Sequence, residues 1–273
     1  MLEGGLPLAS HAPDSGRGTS PEELVDLLLG SGQTYLDQGQ VEQADRCALH
    51  ALDLARSGAS EPATIRALVL LGRSRGAQDR NEEAVSSFEE CLALQERTGD
   101  HAGAAATLCE IAGLRTREGE YRTAEDLLLE SLRFSSADAP GPNRARALEE
   151  LGSVRRLLGA FDVAMDNFRE ALRIREALRD RKGQARILNR LGNTYQRAGR
   201  LQEALDHQRR CLQLWEEIGD PRETGKVQNN LGTTYLEQGE YGASGECFER
   251  ARALFDKLGD RPMLAHVLSN IGL

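Results

Sequence analysis

Glycine recurs at a step of forty, at positions 32, 72, 152, 192, 232 and 272, and Ala112 fills the one gap. No insertion or deletion disturbs this register. Other columns keep the same step. Twelve residues after the glycine come Ala44, Ala84, Ala124, Ala164 and Ala204, with Ser244 in the sixth copy. Seven after it come Gly39, Gly119, Gly159, Gly199 and Gly239, with Asp79 in the second copy. Four before it come Leu28, Leu68, Leu108, Leu148, Leu188 and Leu268, with Gln228 the exception. Columns held in one register over six copies mean that one supersecondary unit is repeated. Such a unit is too thin to bury both its faces alone, so it stacks on its neighbours into a quasi-one-dimensional array.

The spacing within one copy predicts a helical hairpin. In the fifth copy Leu188, Leu191, Gly192 and Tyr195 lie three or four residues apart, on one face of a helix. Gly199 ends that helix by taking a left-handed backbone. Leu201, Ala204, Leu205, Gln208, Leu212 and Trp215 restart the period for a second helix. Ile218-Gly219-Asp220-Pro221 closes it, Asp220 serving as cap and Pro221 as first-turn residue of the next helix. The small residues at 192 and 204 let the two helices approach closely. Composition agrees: aromatics are 4% of the 273 residues, Pro numbers 8, and Leu and Ala, both strong helix formers, carry the apolar content.

The pattern Leu-(x2)-Leu-Gly-(x2)-Tyr, followed by Gly, an aromatic and Ala, resembles the tetratricopeptide repeat over roughly residues 21–273. The family's aromatic after the turn is matched by Tyr121, Phe161 and Tyr241, with Val41, Asn81 and Leu201 elsewhere. Its second-helix aromatic is matched by Phe88, Phe168 and Phe248. Its usual proline near the repeat end is replaced by Gly-Asp pairs, as at Gly99-Asp100, Gly219-Asp220 and Gly259-Asp260. The long period is similar to that of kinesin light chains, spindle-orientation adaptors and bacterial peptide-sensing regulators. The resemblance implies an all-α, right-handed α-solenoid of antiparallel helix pairs. Its repeats would span about 21–60, 61–100, 101–140, 141–180, 181–220 and 221–260, with the first helix of a seventh at 261–273. Residues 1–20, rich in Gly, Ser and Pro and without periodicity, are predicted to form a disordered leader. The seventh helix offers no polar outer cap. That predicts either a fragment of a longer protein or self-association through this end.

Chemistry-bearing motifs dissolve into the repeat. Gly72-Arg73-Ser74-Arg75-Gly76 matches a nucleophile-elbow pattern, but Gly72 is the repeat glycine in mid-helix and no strand precedes it. Gly225-Lys226 has no upstream glycine at phosphate-loop spacing. His207 and Cys211 are one turn apart, yet no third ligand is near and Cys211 shares its column with Ala51, Cys91, Ala171 and Ala251. Cys47 and Cys247 share another column. Cys109 stands in a column that is polar from Glu149 onward, after Leu29 and Val69, and reads as either a packed cysteine or a reactive thiol. No catalytic residue, cofactor or metal site is expected. The net charge of −9 disfavours direct nucleic-acid binding. The absence of a long apolar run and of a disulfide spacing among five cysteines predicts a cytoplasmic protein without a membrane span.

Function is then expected on a surface. First-helix positions six before, three before and one after the glycine line the concave groove in the family, as the resemblance implies. Those columns carry Arg66, Arg73, Arg146, Arg186 and Lys226, interleaved with Asn189, Asn193 and Asn229. Carboxamides can hold an extended peptide backbone and arginine forks take carboxylates. The expected partner is an extended, acidic segment of another protein, bound by a scaffold or adaptor. The alternative is a sensor region of a longer signalling protein that controls an output domain.

Overall fold

The computed structural model describes residues 20–58, 60–135 and 141–272. The predicted leader lies almost wholly outside them. Among the described residues there are thirteen helices and no strand. They alternate as first and second members of hairpins: α1 (Pro21–Asp37) and α2 (Val41–Ser57), α3 (Glu61–Ala77) and α4 (Asn81–Thr98), α5 (His101–Arg117) and α6 (Tyr121–Phe134). There follow α7 (Pro142–Leu157) and α8 (Phe161–Ala177), α9 (Arg181–Arg197) and α10 (Leu201–Ile218), α11 (Pro221–Gln238) and α12 (Tyr241–Leu258), and then α13 (Arg261–Ile271).

The ends of these helices obey local chemistry. The Ser20 hydroxyl accepts from the Glu23 backbone N–H, and the Glu23 carboxylate accepts from the Ser20 N–H in return. Asp100, Asp180, Asp220 and Asp260 cap α5, α9, α11 and α13 through their carboxylates; three of them follow a glycine, and Asp180 follows Arg179. The turn column is left-handed throughout: Gly199 has φ 73°, and Asp79 stands in for glycine in the second hairpin at φ 58°.

Packing explains the repeated step. Ala44, Ala84, Ala124, Ala164 and Ala204 are fully buried where the two helices of each hairpin touch. At Gly72 an added Cβ would lie 2.6 Å from the Phe88 ring, so the glycine is the seat of that phenylalanine. The pairs Gly152–Phe168 and Gly232–Phe248 repeat this arrangement. In the third hairpin Ala112 replaces the glycine and Leu128, not phenylalanine, occupies the opposing column.

Every helix packs on the next. In addition each odd-numbered helix packs on the following odd-numbered one, whereas the backbones of successive even-numbered helices stay apart and are bridged by long side chains, as Arg56 of α2 reaches Glu90 of α4. A stack pinched on one side and splayed on the other is curved. The odd-numbered helices therefore line the concave face of a right-handed solenoid. At the far end Met263, Leu264, Leu268 and Ile271 of α13 are half-buried and Val267 is fully covered.

Candidate functional site

The inner columns do not form one uniform stripe. Arg186, Asn189, Asn193, Lys226 and Asn229 come together on α9 and α11 around a cavity of about 870 Å³ that also reaches His266 and Asn270 on α13. Arg66 and Arg73 line a separate, smaller hollow of about 230 Å³ with Leu29, Ile65 and Val69. Arg146 lines neither of these.

Most of the cations have acidic neighbours within the protein. Arg66 pairs with Asp26 at 2.8 Å. Arg73 donates from Nε and Nη2 to Glu110 Oε1 at 3.0 and 2.7 Å. Arg146 donates to the same oxygen at 3.2 Å and to Glu150 Oε1 at 2.8 Å. Burial pushes the Glu110 carboxyl up, but Arg146 and Arg73 together hold it below its ordinary value. Burial dominates at Glu150, whose carboxyl is raised despite Arg146. Arg186 lies 3.9 Å from Glu149, and Lys226 pairs with Glu223.

A column that sequence reasoning did not single out organises this face. The residue two before the repeat glycine meets the residue three before it in the preceding hairpin, forty-one positions back. Arg190 Nε donates to Glu149 Oε1 at 3.0 Å, Asn230 Nδ2 to Asn189 Oδ1 at 2.9 Å, and Asn270 Nδ2 to Asn229 Oδ1 at 2.8 Å. These rungs tie successive odd-numbered helices together along the concave floor. They also consume acceptors: Asn229 is only 3% exposed and its carbonyl oxygen is taken. Among the described residues the amide nitrogens of Asn189 and Asn229 make no bond, leaving donors for an incoming carbonyl. The signal was present as a second set of polar residues, Glu110, Glu150, Arg190, Asn230 and Asn270, at the same step.

Gln208 supports the floor from beneath. It occupies the phenylalanine column but is fully buried, accepting from Thr234 Oγ1 at 3.0 Å, with its amide nitrogen 3.5 Å from Asn193 Oδ1.

The motifs set aside earlier have structural roles. Ser74 is fully buried, donating to the Leu71 carbonyl at 3.0 Å, with Asp45 Oδ1 3.2 Å away. Cys211 Sγ donates to the Ala185 carbonyl at 3.1 Å and the His207 ring stacks on Tyr195 at 5.0 Å. Cys109 resolves to the packed alternative: it is 1% exposed, against Ser131 Oγ at 3.4 Å, and burial pushes its thiol up to about 12. No group of three His, Cys, Asp or Glu among the described residues is arranged to hold a metal, and no helix there is long and apolar enough to cross a membrane.

A tetratricopeptide-repeat family profile matches residues 23–97, 72–137, 103–177 and 183–257. The chain belongs to the tetratricopeptide-repeat family. It is a protein-interaction scaffold of that type. Solved structures agree on the fold. BtubC (BKLC) from P. vanneervenii has a TM-score of 0.69 at 19% identity, covering 86% of this chain and 92% of its own. A putative kinesin light chain from Podosopora anserina with nearly identical TPR-like repeats gives 0.60 at 21% identity, covering 73% and 97%. A STAND protein with a tetratricopeptide-repeat sensor, PH0952 from Pyrococcus horikoshii, gives 0.73 at 12% identity, covering 90% of this chain but 39% of its own. No curated protein sequence matches the chain.

Proposed function

We propose that this tetratricopeptide-repeat protein is an adaptor whose groove binds an extended, acidic segment of a partner protein. The observation that carries this reading is the cavity of about 870 Å³ between α9, α11 and α13, lined by five basic residues against two acidic ones in a chain of net charge −9. Rungs of asparagine hold the floor rigid, so little ordering is spent on binding. The free amide donors of Asn189 and Asn229 suit backbone carbonyls, while Arg186 and Lys226 suit carboxylates. Contacts of this kind contribute about 0.2–1 kcal/mol each, so affinity in roughly the micromolar range is expected.

The test is fluorescence anisotropy with a labelled glutamate-rich peptide against the protein and its Arg186→Glu/Lys226→Glu variant. Loss of binding in the variant, with unchanged circular dichroism, supports the groove. Equal affinity overturns it. Arg146 is left out of the test because it sits between Glu110 and Glu150, and a third carboxylate there would disturb folding.

A second reading draws on the likeness to the STAND sensor, which spans a minor part of that chain. Here the same groove senses a peptide within a longer signalling protein. Its test is the reading frame: continuation into an output domain supports it, and a stop codon directly after Leu273 overturns it.

A further inference from the structure

Within the large cavity the charges are not evenly answered. Arg190 is fixed by Glu149 and by Ser153 Oγ at 2.7 Å, Arg186 faces Glu149, and Lys226 is held by Glu223. Arg156, near the end of α7, and Arg197, at the end of α9, line the same cavity and make no ion pair or side-chain hydrogen bond among the described residues.

Repeat register brings these two arginines together. They stand four and five residues after the glycines of consecutive hairpins, forty-one positions apart. The next step of the same column pair is Gln196 and Glu237, whose side chains are hydrogen-bonded at 2.8 Å. An earlier step is Gly76 and Arg117, where the guanidinium donates to the Gly76 carbonyl at 3.3 Å. Positions that touch with complementary groups elsewhere in the solenoid therefore hold two like charges here. Burial lowers the Arg156 pKa below the usual guanidinium value, and repulsion from Arg197 and Arg190 adds to it. Arg156 is partly buried and Arg197 exposed at the rim of the cavity, so their like charges oppose one another with limited help from solvent, and an anion bridging the pair relieves that repulsion.

We infer that Arg156 and Arg197, backed by Arg190, form a subsite for a phosphoryl dianion within the groove. Two guanidinium forks match the charge and several oxygens of a phosphoryl group, whereas one carboxylate would answer only one of them. As a phosphorylated side chain of the bound segment, the dianion would specify position along the groove. This deepens the proposed reading of the groove, on which that placement rests.

Inorganic phosphate and acetate are titrated at constant ionic strength while the arginine Nε–Hε resonances are followed by NMR. The protein is compared with Arg156→Gln/Arg197→Gln and with the control Arg252→Gln, an exposed residue of α12. A saturable response to phosphate, absent with acetate, unchanged in the control and weakened about ten-fold or more in the double variant, supports the subsite. No saturation, an equal acetate response or an unaltered double variant overturns it. Melting temperature gives an independent readout: the double variant is expected to melt higher than the parent without phosphate and to gain less on its addition. A double variant that melts no higher without phosphate and gains as much from it counts against the subsite.

Two glutamate-rich peptides, one with serine and one with phosphoserine at its centre, separate the sources. Tighter binding of the phosphopeptide, lost in the double variant, assigns the dianion to the bound segment. A response to inorganic phosphate without that preference assigns it to a free phosphate. Binding of the serine peptide with no phosphate response defeats the subsite and leaves the acidic groove standing. A phosphate response with neither peptide bound does the reverse.

Discussion

At Gly72 a methyl group has nowhere to go, because the Phe88 ring already lies where the Cβ would be built. Gly72→Ala is expected to destabilise the protein by about 1–3 kcal/mol, as overpacking in a tight core does. The third hairpin shows how the protein itself resolves this clash, pairing Ala112 with Leu128. Gly72→Ala/Phe88→Leu should thus be more stable than the sum of its single variants by about 1 kcal/mol, measured as a coupling in urea unfolding. Strict additivity would show that the two columns are independent. Asp79 presents the opposite case. Its φ of 58° is a conformation that glycine adopts without steric cost. Asp79→Gly is expected to raise stability by about 1 kcal/mol, and a lower urea midpoint would contradict the assignment of strain to that turn.

Between elements, the concave floor is stitched by side chains one repeat apart. Glu110 on α5 receives Arg73 from α3 and Arg146 from α7, so one carboxylate joins three helices. Because its folded pKa is depressed, it contributes stability above the ordinary carboxylate value of about 4.3, and loses it as pH falls through the folded value. Glu110→Gln is expected to cost roughly 1–3 kcal/mol at neutral pH. It should also flatten the fall in stability below about pH 4.3. Thermal unfolding from pH 3 to 7 checks both, and parallel curves for parent and variant would mean that Glu110 does not couple to folding. Glu150 has the opposite sign, since burial raises its carboxyl, so its removal should not produce the same flattening.

For the molecule as a whole, stability is a sum of neighbour interfaces, and these are unequal. The largest apolar cluster runs from Ala145 on α7 to Cys247 on α12, through Phe168, Leu188, Leu191 and Trp215. Amide hydrogen exchange is therefore expected to be slowest in α8 to α10 and fastest in α1 and α13. Uniform protection along the chain would show that the solenoid opens as one unit. The basic lining of the large cavity stands on α7, α9 and α11, so the proposed binding surface rests mainly on the better-buried half of the fold. Binding of an acidic peptide there should weaken steeply with salt, because exposed charges are screened within about 8 Å at physiological ionic strength. Calorimetry over a salt series checks this, and a flat response would assign binding to the apolar hollow near Ile65 and Val69 instead.

Sequence alone determined the repeat, the hairpin and its ends. These follow from short-range rules: glycine where φ is positive or a ring must seat, alanine where helices touch, Asp before a first turn. They are legible because each hairpin copies the same local solution. The clustering of part of the proposed groove set was legible, since the register places Arg186, Asn189, Asn193, Lys226 and Asn229 around one cavity. What register could not decide was the state of each charge. Whether an arginine is free or bound depends on which carboxylate the superhelical curvature brings against it from the next hairpin. Arg73 and Arg146 converge on Glu110, while Arg156 and Arg197 line one cavity with neither paired to a carboxylate among the described residues. That distinction belongs to contacts between residues thirty-six to forty-one positions apart, which only the stacking of one repeat on the next creates.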